Sequence, residues 1–121
     1  RQVAKVADRV LEAFEGTRVV MHFHNTRGAG MANLLAALQA GVRAFETSFG
    51  GLGGCPFAPG AAGNVSTEDA THMLHEMGIA TGIDLTRLLT VVRDAESAVR
   101  APFASHVLRA GECSELHPLP T

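Results

Sequence analysis

Apolar residues recur along the chain at two periods, and the switch between them outlines the elements. Val3, Val6, Ala7, Val10, Leu11 and Phe14 fall on one helical stripe, predicting a helix over Gln2–Glu15 that Gly16 stops. Arg18–His24 alternates instead. Val20, His22 and His24 share one face of a predicted strand, and Val19, Met21 and Phe23 share the other. Helical spacing returns over Gly30–Ala40, where Leu34, Leu35 and Leu38 mark the core side and Gly41 closes the helix. Val42–Ser48 reads as a second strand. Phe49–Asn64 has neither period. It is crowded with Gly and Pro yet carries Leu52, Cys55 and Phe57, so it reads as a shaped loop and not a linker.

Two further helices follow. Thr67–Met77 is capped by Ser66 or Thr67, with Glu68 and Asp69 in its first turn. Asp84–Arg100 carries an apolar stripe of Leu85, Leu88, Leu89, Val92 and Val99 and ends before Pro102. Residues 101–121 are expected to form a flexible tail, frayed beyond Ala110. Strands joined by crossover helices make a parallel sheet, so the fold class is α/β. Two or three strands do not close a sheet. A (β/α)8 barrel takes about 250 residues, roughly twice this chain. With Arg1 in place of Met at its start, the chain is therefore expected to be one partial domain over residues 1–121.

Composition narrows the function classes. Hydrophobic residues make up 46% of the 121, enough for a buried core. The net charge of −2 supplies no basic field for nucleic acid or an anionic membrane, and no apolar run approaches the ~20 residues of a membrane helix. Two widely separated cysteines form neither a disulfide framework nor a CxxC motif, which fits a reducing compartment.

The sharpest chemical feature is His22-Phe23-His24 at a strand end. Residues two apart on a strand point the same way, so two neutral imidazoles could grip a divalent metal, or simply stand as polar strand-end side chains. Asn64 offers a hard neutral oxygen suited to Mg²⁺ or Mn²⁺, or serves ordinary turn chemistry after Gly63. Cys55 is either a proton donor on a loop over a polar site or a small buried hydrophobe. Glu68 complements a helix dipole without further help. Asn25 and Arg27 follow the histidines and could orient a ligand or cap the next helix. His72 and His75 share a helix face, with no third ligand suggested nearby; His106 and His117 read as solvated.

Taken together, HFHNTRG at residues 22–28 and GGLGGCPFAPGAAGN at residues 50–64 closely resemble the 3-hydroxy-3-methylglutaryl-CoA lyase family. The resemblance continues through Thr67-Glu68-Asp69 and Gly78-Ile79-Ala80-Thr81-Gly82. An HxH motif is shared with related isopropylmalate and citramalate synthases. Their loop is shorter and lacks the cysteine, so the loop selects the lyase branch. The resemblance implies the C-terminal portion of a (β/α)8 TIM barrel with parallel strands and crossover helices, about strands six to eight. It implies His22, His24 and Asn64 as ligands of Mg²⁺ or Mn²⁺, and Cys55, His22 and Glu68 as catalytic. Asn25, Gly53 and Gly54 would meet substrate. The family often has Asp where this chain has Asn25, which removes a charge near the metal. The family's remaining aspartate ligand and catalytic arginine belong to the first strand, which is not in this segment.

The implied activity is cleavage of 3-hydroxy-3-methylglutaryl-CoA to acetoacetate and acetyl-CoA, as in leucine degradation and ketone-body metabolism. The full barrel would be a homodimer, in the cytoplasm of a bacterium or the mitochondrial matrix of a eukaryote. Two other readings stand beside it. One is a lyase for a different 3-hydroxyacyl-CoA. The other is a non-catalytic fragment acting as an assembly partner.

Overall fold

The computed structural model describes residues 1–54 and 63–114. In chain order it has helix α1 (Gln2–Ala13), strand β1 (Val20–His22), helix α2 (Gly30–Gln39) and strand β2 (Ala44–Glu46). A 3-10 turn (Phe49–Gly51) follows, then helices α3 (Thr67–Glu76), α4 (Leu85–Val99) and α5 (His106–Ala110). β1 and β2 pair in parallel, with Val20 beside Ala44, Met21 beside Phe45 and His22 beside Glu46. The α2 crossover makes this a β-α-β unit. Both strands are shorter than their alternation predicts. Their ends are taken over by the segment through Asn64 and Ser66, which bridges His24 on one side and Ser48 on the other.

The pleat sorts the side chains. Met21, Phe23 and Phe45 turn toward the helices, where they pack around buried Ala7, Ala37 and Val42 from α1, α2 and the start of the second strand segment. Phe23 and Phe45 also reach a second cluster built on Leu34, Val65 and Ala70. The other face carries Val20 and His22, both exposed. Beside β2 an open cavity of about 690 Å³ is lined by Val20, Leu34, Leu38, Phe45, Leu74 and Ile79.

A third cluster joins α4 to the end of the chain: Leu85, Leu89 and Val92 pack on Phe103, Val107 and Leu108. Residues 103–110, expected within a flexible tail, are thus folded onto the core. Ser105 caps α5 by accepting from the Leu108 N–H at 3.2 Å. Fully burying residues such as Phe103 and Leu108 contributes about 1.5–3 kcal/mol each. Asp69 of α3 adds polar anchorage, accepting from the Val107 and His106 N–H groups at 2.8 and 3.1 Å. Among the described residues, no helix is long and apolar enough to cross a membrane.

Candidate active site

His22 ends β1, and His24 follows two residues later on the same side, with ring centroids 5.0 Å apart. The segment at residues 63–67 is what completes the group. The Asn25 N–H donates to the Gly63 carbonyl and the Val65 N–H to the Phe23 carbonyl, each at 3.1 Å. On its other side the Ser48 N–H donates to the Val65 carbonyl at 3.1 Å and the Thr67 N–H to the Ser48 carbonyl at 3.0 Å. Laced to both strand ends, the segment carries Asn64 onto the histidine face. Asn64 Oδ1 lies 3.0 Å from His22 Nε2, while its Nδ2 donates to the Leu52 carbonyl at 2.9 Å. That second bond fixes which end of the amide meets the imidazole.

The two arms of the loop touch closely here. A Cβ on Gly63 would collide with the Gly51 carbonyl oxygen, so only glycine lets residues 51 and 63 lie against each other. Gly53, exposed, sits against the Asn64 amide, and Gly54 is exposed beside it. Cys55, expected on this loop, lies outside the described residues, as does His117.

Glu68 goes elsewhere. It is fully buried, and its two oxygens accept from the Gly50 N–H at 2.7 and 3.0 Å. Its hydrogen bonds therefore run to the first turn of the loop and not to the histidines. Gly50 has φ +63, and a Cβ there would run into the Phe103 ring. Asn25 Oδ1 accepts from the Gly30 N–H at 2.9 Å, meeting an otherwise unpaired donor at the start of α2. Its capping role is thus the one the geometry displays.

Charges around the group are sparse. Glu46 Oε2 stands 3.9 Å from His22 Nδ1, with both side chains open to water. Behind α3, burial raises the Asp69 carboxyl, but bonds from the Val107 N–H, the His106 side chain and N–H, and the Ser105 hydroxyl outweigh it. The carboxyl is held below its ordinary value. On α4, Glu96 pairs with Arg109 and accepts from the Phe103 N–H. The Arg109 hydrogen bond is the chief reason its carboxyl is lowered.

The donor set fits a divalent cation. Two neighbouring ligands on an octahedral ion with bonds of about 2.1 Å stand about 3.0 Å apart. His22 Nε2 and Asn64 Oδ1, 3.0 Å apart, have the spacing of a hydrogen bond and equally that of two such ligands. Imidazole nitrogens and an amide oxygen are both donors that divalent metals accept.

Sequence reasoning missed two features. Ser105 before His-Val-Leu was a cap signal for α5. His106 Nδ1 lies 3.0 Å from Asp69 Oδ2, so this histidine is tied to α3 despite its exposure.

A β-α-β unit is the repeat from which a (β/α)8 barrel is built, and here two histidines and an asparagine gather at the carboxyl ends of its strands, the face where such barrels do chemistry. The HMGL-like family model matches residues 1–95, and the chain belongs to that family. It is 42% identical over 113 residues to the hydroxymethylglutaryl-CoA lyase YngG of Bacillus subtilis, covering 93% of this chain and 38% of that one. It is 41% identical over 110 residues to the (R)-citramalyl-CoA lyase of Chloroflexus aurantiacus, covering 91% and 35%. The structure of an HMG-CoA lyase from Acinetobacter baumannii, in complex with coenzyme A and 3-methylmalate, superposes with a TM-score of 0.92. That match has 44% identity and covers 98% of this chain and 39% of that one. The chain thus spans less than two fifths of the length of these relatives, and it folds as a portion of their TIM barrel.

Proposed function

We propose that this chain is the part of a 3-hydroxy-3-methylglutaryl-CoA lyase that carries two histidine ligands, an asparagine ligand and the glycine-rich loop. The observation that carries the reading is the approach of Asn64 Oδ1 to His22 Nε2 beside His24, beneath the start of that loop. His22, His24 and Asn64 would hold Mg²⁺ or Mn²⁺. When bound, the cation lowers the pKa of the substrate's tertiary hydroxyl and orients it.

The residues of the chain divide the remaining work. Ligation through Nε2 would leave His22 with its own proton on Nδ1, turned toward the Glu46 carboxylate, and the hydroxyl proton would pass to a water beside this pair. Loss of that proton forms the ketone of acetoacetate as the C–C bond breaks, and acetyl-CoA leaves as its enolate. The Cys55 thiol would return a proton to the enolate carbon. Gly53 and Gly54 would let the loop backbone approach the thioester. Asn25 keeps Nδ2 for substrate because Oδ1 is engaged by Gly30. Glu68 acts by position, holding the loop's first turn through Gly50.

A second substrate is favoured by one finding: identity to the citramalyl-CoA lyase is within one percentage point of that to the hydroxymethylglutaryl-CoA lyase. The test is acetyl-CoA release by the full protein from both thioesters, with Mn²⁺ or Mg²⁺ supplied. The proposal expects metal-dependent release, greater from 3-hydroxy-3-methylglutaryl-CoA, and loss of turnover in H24A. Greater release from citramalyl-CoA would move the assignment to the second reading. No release from either, or unchanged turnover in H24A, would overturn both.

A further inference from the structure

A second cluster of side chains able to ligate a metal lies on α3 and the segment after α5. His72 and Glu76 are four apart on α3 and so share one face of the helix. After α5 the chain turns at Gly111, with φ +78, and brings Cys113 against that face. One ligand atom from each of the three lies within 4.8 Å of the others. His72 Nε2 and Cys113 Sγ are 3.4 Å apart.

That separation has a physical meaning. Tetrahedral zinc, with bonds of about 2.3 Å to sulfur and 2.05 Å to nitrogen, sets those two atoms about 3.6 Å apart. The neighbouring histidines are occupied otherwise: His75 Nε2 bonds the Thr81 hydroxyl at 2.9 Å, and His106 is held by Asp69. Glu76 and Cys113 are exposed, which leaves a fourth position to water. We propose that His72, Glu76 and Cys113 form a surface site for a thiophilic divalent cation such as Zn²⁺. It is distinct in place and donor chemistry from the group at His22. Binding would release the Cys113 thiol proton to solvent as the S–metal bond forms. The loaded site would clamp the segment after α5 onto α3.

Co²⁺ is a suitable probe, since a thiolate–cobalt bond gives a near-ultraviolet charge-transfer band that imidazole and oxygen ligands do not. The full protein, kept reduced with a phosphine, is titrated in a C55S background, so that Cys113 is the only thiol this segment contributes. The expected result is a saturable band that Zn²⁺ displaces. C113S should abolish it, and H72A and E76A should each weaken Co²⁺ binding about tenfold or more. H24A should leave it unchanged. No band, a band indifferent to H72A and E76A, or a band lost in H24A would each overturn the site.

Discussion

Glu68 offers the most exacting test of how the loop is held. Its carboxylate is fully buried and spends both oxygens on the Gly50 N–H. Hydrogen bonds to a charged acceptor contribute about 1.5–3 kcal/mol, and truncation leaves the buried Gly50 N–H unmet. Removing the carboxyl also empties space against the loop turn, where Gly50 already abuts Phe103. E68A should therefore cost about 3 kcal/mol in urea unfolding of the full protein. E68Q keeps one acceptor oxygen but buries an amide NH₂ with nothing to receive it, so a loss of about 1–2 kcal/mol is expected. Midpoints should fall in the order wild type, E68Q, E68A. A positioning role also predicts that turnover falls in step with stability and that the pH profile keeps its shape. If E68A unfolds within about 0.5 kcal/mol of wild type, the reasoning from Gly50 is wrong. So is it if E68Q abolishes turnover at full stability, since the carboxyl would then be moving protons.

Other outcomes follow from the same structure. The Asp69 carboxyl is lowered from 3.8, so its stabilisation is present above that value and lost as pH falls through the lower folded value. D69N should lower stability at neutral pH and flatten the acid limb below about pH 4 in a pH series of thermal melts. N25A should cost about 1 kcal/mol by uncovering the Gly30 N–H, whereas N25D should match or exceed wild type near a helix N-terminus; urea midpoints compare the pair. G63A should push Asn64 away from His22 and weaken Mn²⁺ binding about tenfold or more, read by calorimetry.

What the sequence made legible is what a local period encodes. The alternation through Val20, His22 and His24 placed both imidazoles on one side, and the helical stripes located α1 to α4 within two residues at each end. For Asn64 the sequence left a ligand and an ordinary turn residue as alternatives, and only the resemblance chose between them. The proximity of Asn64 to His22 depends on residues 63–67 bonding to two strand ends at once, which no spacing announces. Residues 103–110 read as part of a tail because five helical residues are too few to display a period, and their packing is against α4 and Asp69. Glu68 shows the same limit: first-turn position was visible, but the burial of its carboxyl against Gly50 was a tertiary fact. Cys113 and His72 meet across 41 positions, so the helix histidines looked a ligand short.

The pleat of β1 has one more consequence. Met21 and Phe23 lock into the helix layer by the same alternation that turns Val20, His22 and His24 the other way. A one-residue insertion or deletion between Arg18 and Val20 would exchange the two sets at a stroke, driving imidazoles among aliphatic side chains. Frame and core thus share a single code in this strand. Length changes there are barred by folding long before catalysis is consulted, and divergence of the site is left to substitution at fixed positions and to its loops.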